Sequence, residues 1–127
     1  MALERELAIL LVDDDKTMLR ILRNLLKQLD FDSVDDATDG RMALERLKQR
    51  PYGLIIVEWN MRPMSGLELL QAVRADAALR ATPFVMITAA TRIDNVVTAK
   101  RAGVDDYIVQ PFNAATLETK LAGVLAG

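Results

Sequence analysis

Leu54, Ile55, Ile56 and Val57 form an unbroken apolar run, with Pro51 and Gly53 before it and Asn60, Pro63, Ser65 and Gly66 after it. A helix segment could carry the same run, but the punctuation on both sides leaves room only for an element of strand length. Unbroken rather than alternating apolar character belongs to a strand covered on both faces, as in a parallel sheet. Glu58 therefore stands where this strand runs out. In open α/β sheets the groups at the carboxyl ends of strands face the ligand crevice, so a carboxylate at this place is a candidate for chemistry.

The same grammar recurs along the chain. Ala8–Val12 is a second continuous apolar run, and it opens onto Asp13, Asp14 and Asp15. From Lys16 to Leu29 the residues Met18, Leu19, Ile21, Leu22, Leu25, Leu26 and Leu29 recur at helical spacing, which predicts an amphipathic helix with Asp15 as its N-cap. A weaker, edge-type strand is expected around Val34, closing at Asp39-Gly40, and then a helix over Arg41–Gln49 that Pro51 stops. After the strand that ends at Glu58, helices are expected over Gly66–Ala75, Arg92–Ala102 and Ala114–Leu125. Two further strands are expected, Phe84–Ile87 ending at Thr88, and Tyr107–Val109 ending at Gln110-Pro111. Gly103 is placed to end the fourth helix. Strand and helix alternate throughout, with connections short enough to require right-handed crossovers, so the fold class is α/β with a parallel sheet.

What the chain lacks narrows its chemistry. Its 127 residues suit one domain, and they include no cysteine and no histidine. Thiol catalysis, thiolate zinc sites and disulfides are excluded, and the commonest general base and transition-metal ligand is missing. Proton or metal work would fall to carboxylates. A formal charge of −2 gives no electrostatic reason to expect a nucleic-acid partner. Glu4, Arg5 and Glu6 interrupt what would otherwise be a signal peptide, and the apolar run behind them is too short to span a bilayer. The expectation is a soluble cytoplasmic protein, a single domain over 1–127 with no output domain and no membrane partner.

The residues just past successive strands are Asp13 and Asp14, Glu58, Thr88, and Gln110 before Pro111. Each has an ordinary reading alone: an acidic triplet before a helix caps it and complements its dipole, Glu58 is a solvated loop carboxylate, and Thr88 and Gln110 are residues of turns. Their joint placement at one sheet edge is what points to a site. Carboxylates without histidine suit a hard cation such as Mg²⁺, which takes oxygen ligands, keeps waters, and is commonly held by one or two carboxylates. A carboxylate beside such an ion can also attack phosphorus to give an acyl phosphate. A flavin mononucleotide site is disfavoured, because three aspartates after the first strand would repel the phosphate.

The stretches VDDDKTM, LRNLLKQL, ATDG, YGLIIVEWNM, GLELLQAVRAD, VMITAA and DDYIVQPFNAATLETKL, taken in order, resemble the receiver domains of response regulators, of the CheY-like chemotaxis type, over nearly the whole length. The resemblance implies a doubly wound, flavodoxin-like sheet in the order 2-1-3-4-5 between two helical layers. It implies that Asp13 and Asp14, with the backbone carbonyl of Asn60, hold Mg²⁺. It puts Glu58 at the phosphoacceptor position, and Thr88, Tyr107 and Gln110 at the switch positions, with Gln110-Pro111 at a Lys-Pro pair whose peptide is usually cis. Three departures accompany it: Glu58 replaces an aspartate, Gln110 replaces a lysine, and Pro63 comes one residue late.

The extra methylene of Glu58 moves its carboxylate outward by about 1.5 Å, where in-line attack tolerates little misplacement. Gln110 offers a neutral amide where a fixed cation would meet a phosphoryl oxygen. The expected function is a non-enzymatic signalling protein of a two-component phosphorelay, with a metal-binding pocket that has lost ordinary phosphorylation. Such a pseudo-receiver is either held active-like by the Glu58 charge or used as an inactive-like binding module. The alternatives are a receiver in which Glu58 still reacts slowly, and a metal-dependent phosphohydrolase with an Asp13 or Asp14 nucleophile. Output would pass to a sensor histidine kinase or a downstream target protein, from a monomer or weak dimer. The family's partner surface would here carry Asp94, Asn95, Val97, Asp105, Asp106, Tyr107 and Lys120. Trp59 is expected at the pocket mouth, partly exposed.

Overall fold

The structure, a computed structural model, describes residues 6–89 and 93–126. Strand and helix alternate as β1 (Ile9–Val12), α1 (Lys16–Gln28), β2 (Val34–Ala37), α2 (Gly40–Gln49), β3 (Leu54–Glu58), α3 (Gly66–Ala75), β4 (Phe84–Ala89), α4 (Ile93–Ala102), β5 (Asp106–Gln110) and α5 (Ala114–Ala126). All neighbouring strands run parallel, in the order β2-β1-β3-β4-β5. This is the doubly wound order that the resemblance implied.

The unbroken apolar runs explain the three layers. Successive residues of a strand point to opposite faces, so a run with no polar interruption needs cover on both sides. Leu10, Val12, Ile55, Val57, Phe84 and Met86 face one layer, where Ala43 and Leu47 of α2, Leu69, Leu70 and Val73 of α3, and Ala99 of α4 pack on them. Ile9, Leu11, Leu54, Ile56, Val85, Ile87 and Ile108 face the other, against Leu19, Leu22 and Leu26 of α1 and Leu117 and Leu121 of α5. Burying each such side chain is worth roughly 1.5–3 kcal/mol.

The edge strand β2 handles its polarity by the same alternation. Asp36 pairs with Arg23 of α1 at 2.7 Å, while its neighbour Asp35 turns the other way to Arg50 at 3.1 Å and the Tyr52 hydroxyl at 2.6 Å. Helix starts are capped as their sequences ask. Asp15 accepts from the Thr17 and Met18 amides, Asp39 from the Met42 amide, and Ser65 with Glu68 closes a capping box on α3. Gly103 has φ +96, the left-handed conformation that suits glycine just past α4.

Several boundaries differ from the sequence reading, for one physical reason. Strand pairing continues past the apolar run wherever a neighbour still offers hydrogen bonds. Glu58 is thus the last residue of β3, Thr88 lies inside β4, which runs on to Ala89, and Asp106 and Gln110 belong to β5. Helix α2 begins at Gly40, directly after its Asp39 cap. Arg92, where the sequence started the fourth helix, lies outside the described residues, as do Glu4 and Arg5. Among the described residues no helix is long and apolar enough to cross a membrane.

Candidate functional site

The register sets Val12 beside Val57, Glu58 beside Ile87, and Ala89 beside Gln110. Asp13, Glu58, Thr88 and Gln110 therefore arrive together at the carboxyl edge of the sheet. A cleft of about 580 Å³ opens there, lined by Glu58, Trp59, Asn60, Thr88, Ala89, Asn95 and Gln110.

Glu58 is half-buried and poorly supplied with donors. Its Oε1 accepts from the Asn60 amide at 3.4 Å and its Oε2 from Gln110 Nε2 at 3.4 Å, both long for hydrogen bonds. Burial pushes its carboxyl up from 4.5 to about 7; the Asn60 amide opposes this, and the charges of Asp13, Asp14 and Asp15 add to it. The turn after Glu58 is held close to α3. A Cβ on Gly66 would lie 2.5 Å from the Glu58 carbonyl oxygen and 2.9 Å from Met86 Sδ, so only glycine fits there.

Asp13 is 2% exposed and accepts from the Asp15 amide at 2.9 Å. Burial raises its carboxyl to about 6, partly opposed by that amide, and Asp14 and Asp15 push in the same direction as burial. Asp14 itself is exposed. Among the described residues no three acidic side chains converge closely enough to form a metal-ligating group, and neither Asp13 nor Asp14 lines the cleft that holds Glu58. Asp13 nevertheless adjoins Glu58, since Val12 and Val57 are register partners on neighbouring strands, and the charges of Asp13, Asp14 and Asp15 all act on the Glu58 carboxyl. Two carboxylates and a carbonyl from Asn60 remain a donor set of the kind Mg²⁺ takes, with waters completing its shell.

Thr88 is 2% exposed, and its Oγ1 has no hydrogen-bond partner among the described residues. Tyr107 is half-buried, with Lys120 Nζ 4.9 Å and Lys100 Nζ 5.7 Å from its ring centre. Asp106 Oδ1 accepts from the Tyr107 amide at 2.8 Å and from Lys120 at 3.3 Å. The Gln110–Pro111 peptide is cis, and so is Arg62–Pro63. Trp59 is half-buried at the cleft wall.

The residues assigned to a partner surface divide. Asp94 and Val97 are exposed, Asp106 is paired to Lys120, and Asn95 lines the cleft. Asp105 instead holds the fold together: its Oδ2 accepts from Arg74 Nη2 at 2.9 Å and from the Phe84 amide at 2.7 Å. Sequence reasoning missed Asn95 as a wall of the cleft, because nothing in the sequence places the first turn of α4 relative to β4. It also missed Arg74, which reads as an ordinary solvated cation.

Residues 9–122 match the response regulator receiver domain. The chain is 44% identical over 119 residues to the chemotaxis protein CheY-3 of Vibrio cholerae serotype O1, covering 94% of this chain and 92% of that one. It is 43% identical over 113 residues to the chemotaxis protein CheY of Pseudomonas aeruginosa, covering 89% and 91%. Among solved structures, the chemotaxis response regulator CheY4 of Vibrio cholerae superposes with a TM-score of 0.86 at 32% identity, covering 94% and 99%.

Proposed function

The chain belongs to the response regulator receiver domain family of two-component signalling, and from that membership we propose that it signals by protein contact with a site that does not undergo ordinary phosphorylation. The observation that carries this reading is the neutral Gln110 amide standing 3.4 Å from the Glu58 carboxylate. Phosphoryl transfer depends almost wholly on positioning and on positive charge around the transferring group. Here the carboxylate sits on a longer arm, its proton is held more tightly because of burial, and the side-chain donor it meets among the described residues, Gln110, carries no charge.

Asp13, Asp14 and the Asn60 carbonyl are the groups that would hold Mg²⁺, which when bound supplies positive charge beside Glu58. That charge alone does not replace a fixed cation on the opposite side of the carboxylate. Thr88 favours the inactive-like reading, because a glutamate acting in place of a phosphoryl group would take its hydroxyl as a donor, whereas Thr88 Oγ1 has no partner among the described residues. The protein then serves as a binding module in the cytoplasm, non-enzymatic, presenting Asp94, Asn95, Asp106, Tyr107 and Lys120 to a sensor kinase or a downstream target.

The test is incubation of the protein with Mg²⁺ and a small acyl-phosphate donor, followed by intact-mass measurement before and after acid treatment. The expected result is no stoichiometric acid-labile adduct. A phosphoryl group recovered on Glu58 would overturn the reading.

A further inference from the structure

We propose that the cleft beside Glu58 is a binding site for a monovalent organic cation, the ammonium or guanidinium head of a group that enters on a flexible alkyl stem. The inference rests on the reading of an unphosphorylated site and names what such a site would take. Four observations carry it. The cleft has one carboxylate in its lining, Glu58, and no cationic side chain among the described residues that wall it. Among the described residues that carboxylate has two contacts, both long and both with neutral amides. Thr88 presents a buried hydroxyl with no partner, able to accept from an N–H. Trp59 supplies an aromatic wall, and Asn60, Asn95 and Gln110 supply amide oxygens that can accept the remaining N–H groups.

Charge and size select among ligands. An anion in the cleft would meet Glu58 with no positive side chain among the described lining residues. A hard dication would draw on Asp13, which adjoins Glu58 across neighbouring strands, as well as on Glu58, so it competes for the same carboxylate and is left out of the titration. A single positive charge neutralises the one carboxylate, and a cleft of about 580 Å³ has room for the head and the upper part of its stem.

Trp59 is the sole tryptophan of the chain, so its emission reports the cleft directly. The experiment titrates the full chain, in magnesium-free buffer, with n-butylguanidinium and with its neutral analogue n-butylurea. The expected result is a saturable change in Trp59 emission with the cation and none with the urea. Glu58→Gln should weaken binding roughly tenfold or more, and Thr88→Val several-fold. Gln110→Lys, which places a cation in the cleft from within the chain, should abolish it. Circular dichroism melts establish that each variant is folded, and Thr88→Val with Gln110→Lys carry the test if Glu58→Gln is not.

Equal responses to the urea and the cation, or undiminished binding in folded Gln110→Lys protein, would overturn the proposal. A short peptide with one arginine among uncharged residues assigns the source. Tighter binding than n-butylguanidinium points to a protein side chain, and weaker binding to a free small cation. A phosphoryl adduct on Glu58 would refute the parent reading without changing the titration, whereas a flat titration refutes the cation without touching the adduct assay.

Discussion

Glu58 is a half-buried carboxylate with no cationic side chain among the described residues that line its cleft, and its protonation should show in the stability of the metal-free protein. Glu58 is raised from 4.5 to about 7 and Asp13 from 3.8 to about 6, in both cases first by burial. Between those values the native state keeps protons that the unfolded chain has released. Their contribution to stability is therefore complete below about pH 4 and is lost as pH rises through 6 and 7. Thermal denaturation without magnesium should accordingly give a lower midpoint at pH 8 than at pH 5.5. Glu58→Gln should flatten that slope and add roughly 1–2 kcal/mol at pH 8, after allowance for solvent screening of a half-exposed group. A variant with the wild-type slope would mean that other groups titrate. The place of Glu58 at the end of its strand was legible, because an apolar run fixes where that strand stops. That Asp13 is buried while Asp14 is exposed was not legible, since two adjacent aspartates look alike until the turn into α1 separates them.

At the level of elements, the alternation of runs and amphipathic stretches was readable almost throughout, and what escaped it was the contact between elements remote in sequence. Arg74 is the clearest instance. From α3 its Nε donates to the Gly103 carbonyl beyond α4 at 2.9 Å, and its Nη1 to the carbonyls of Arg80 at 2.9 Å and Thr82 at 2.7 Å. Its Nη2 meets Asp105, the residue preceding β5, which also binds the first amide of β4. One planar fork thereby joins two helix ends and two strand starts, a geometry that a single ammonium cannot reproduce. Arg74→Ala should cost about 2–4 kcal/mol, and Arg74→Lys should recover only part of that, both read from urea midpoints at constant slope. A loss under about 0.5 kcal/mol for the alanine variant would show that the carbonyls find water instead.

Across the whole molecule, the parallel sheet and its two helical layers follow from strands that are apolar on both faces, so the class of fold was visible before any coordinate. Which carboxylate of the acid pair is buried at the sheet edge was not, because that depends on the turn after β1 rather than on the strands. Magnesium offers a global readout of that arrangement. If Asp13 and Asp14 hold the ion, saturating Mg²⁺ should raise the thermal midpoint, by an amount equivalent to about 2.7 kcal/mol at a hundred times the dissociation constant, and Asp13→Asn should remove the effect. An unchanged midpoint in wild-type protein would argue against the metal.

The Arg74 fork grips β4 at Phe84, whereas Thr88 and Ala89 reach the cleft about 13–16 Å further along the same strand. The anchor and the cleft thus occupy opposite poles of one rod. A substitution at Glu58 or Gln110 therefore leaves the Arg74 contacts untouched, and the cleft can vary without loosening what keeps the rod in place.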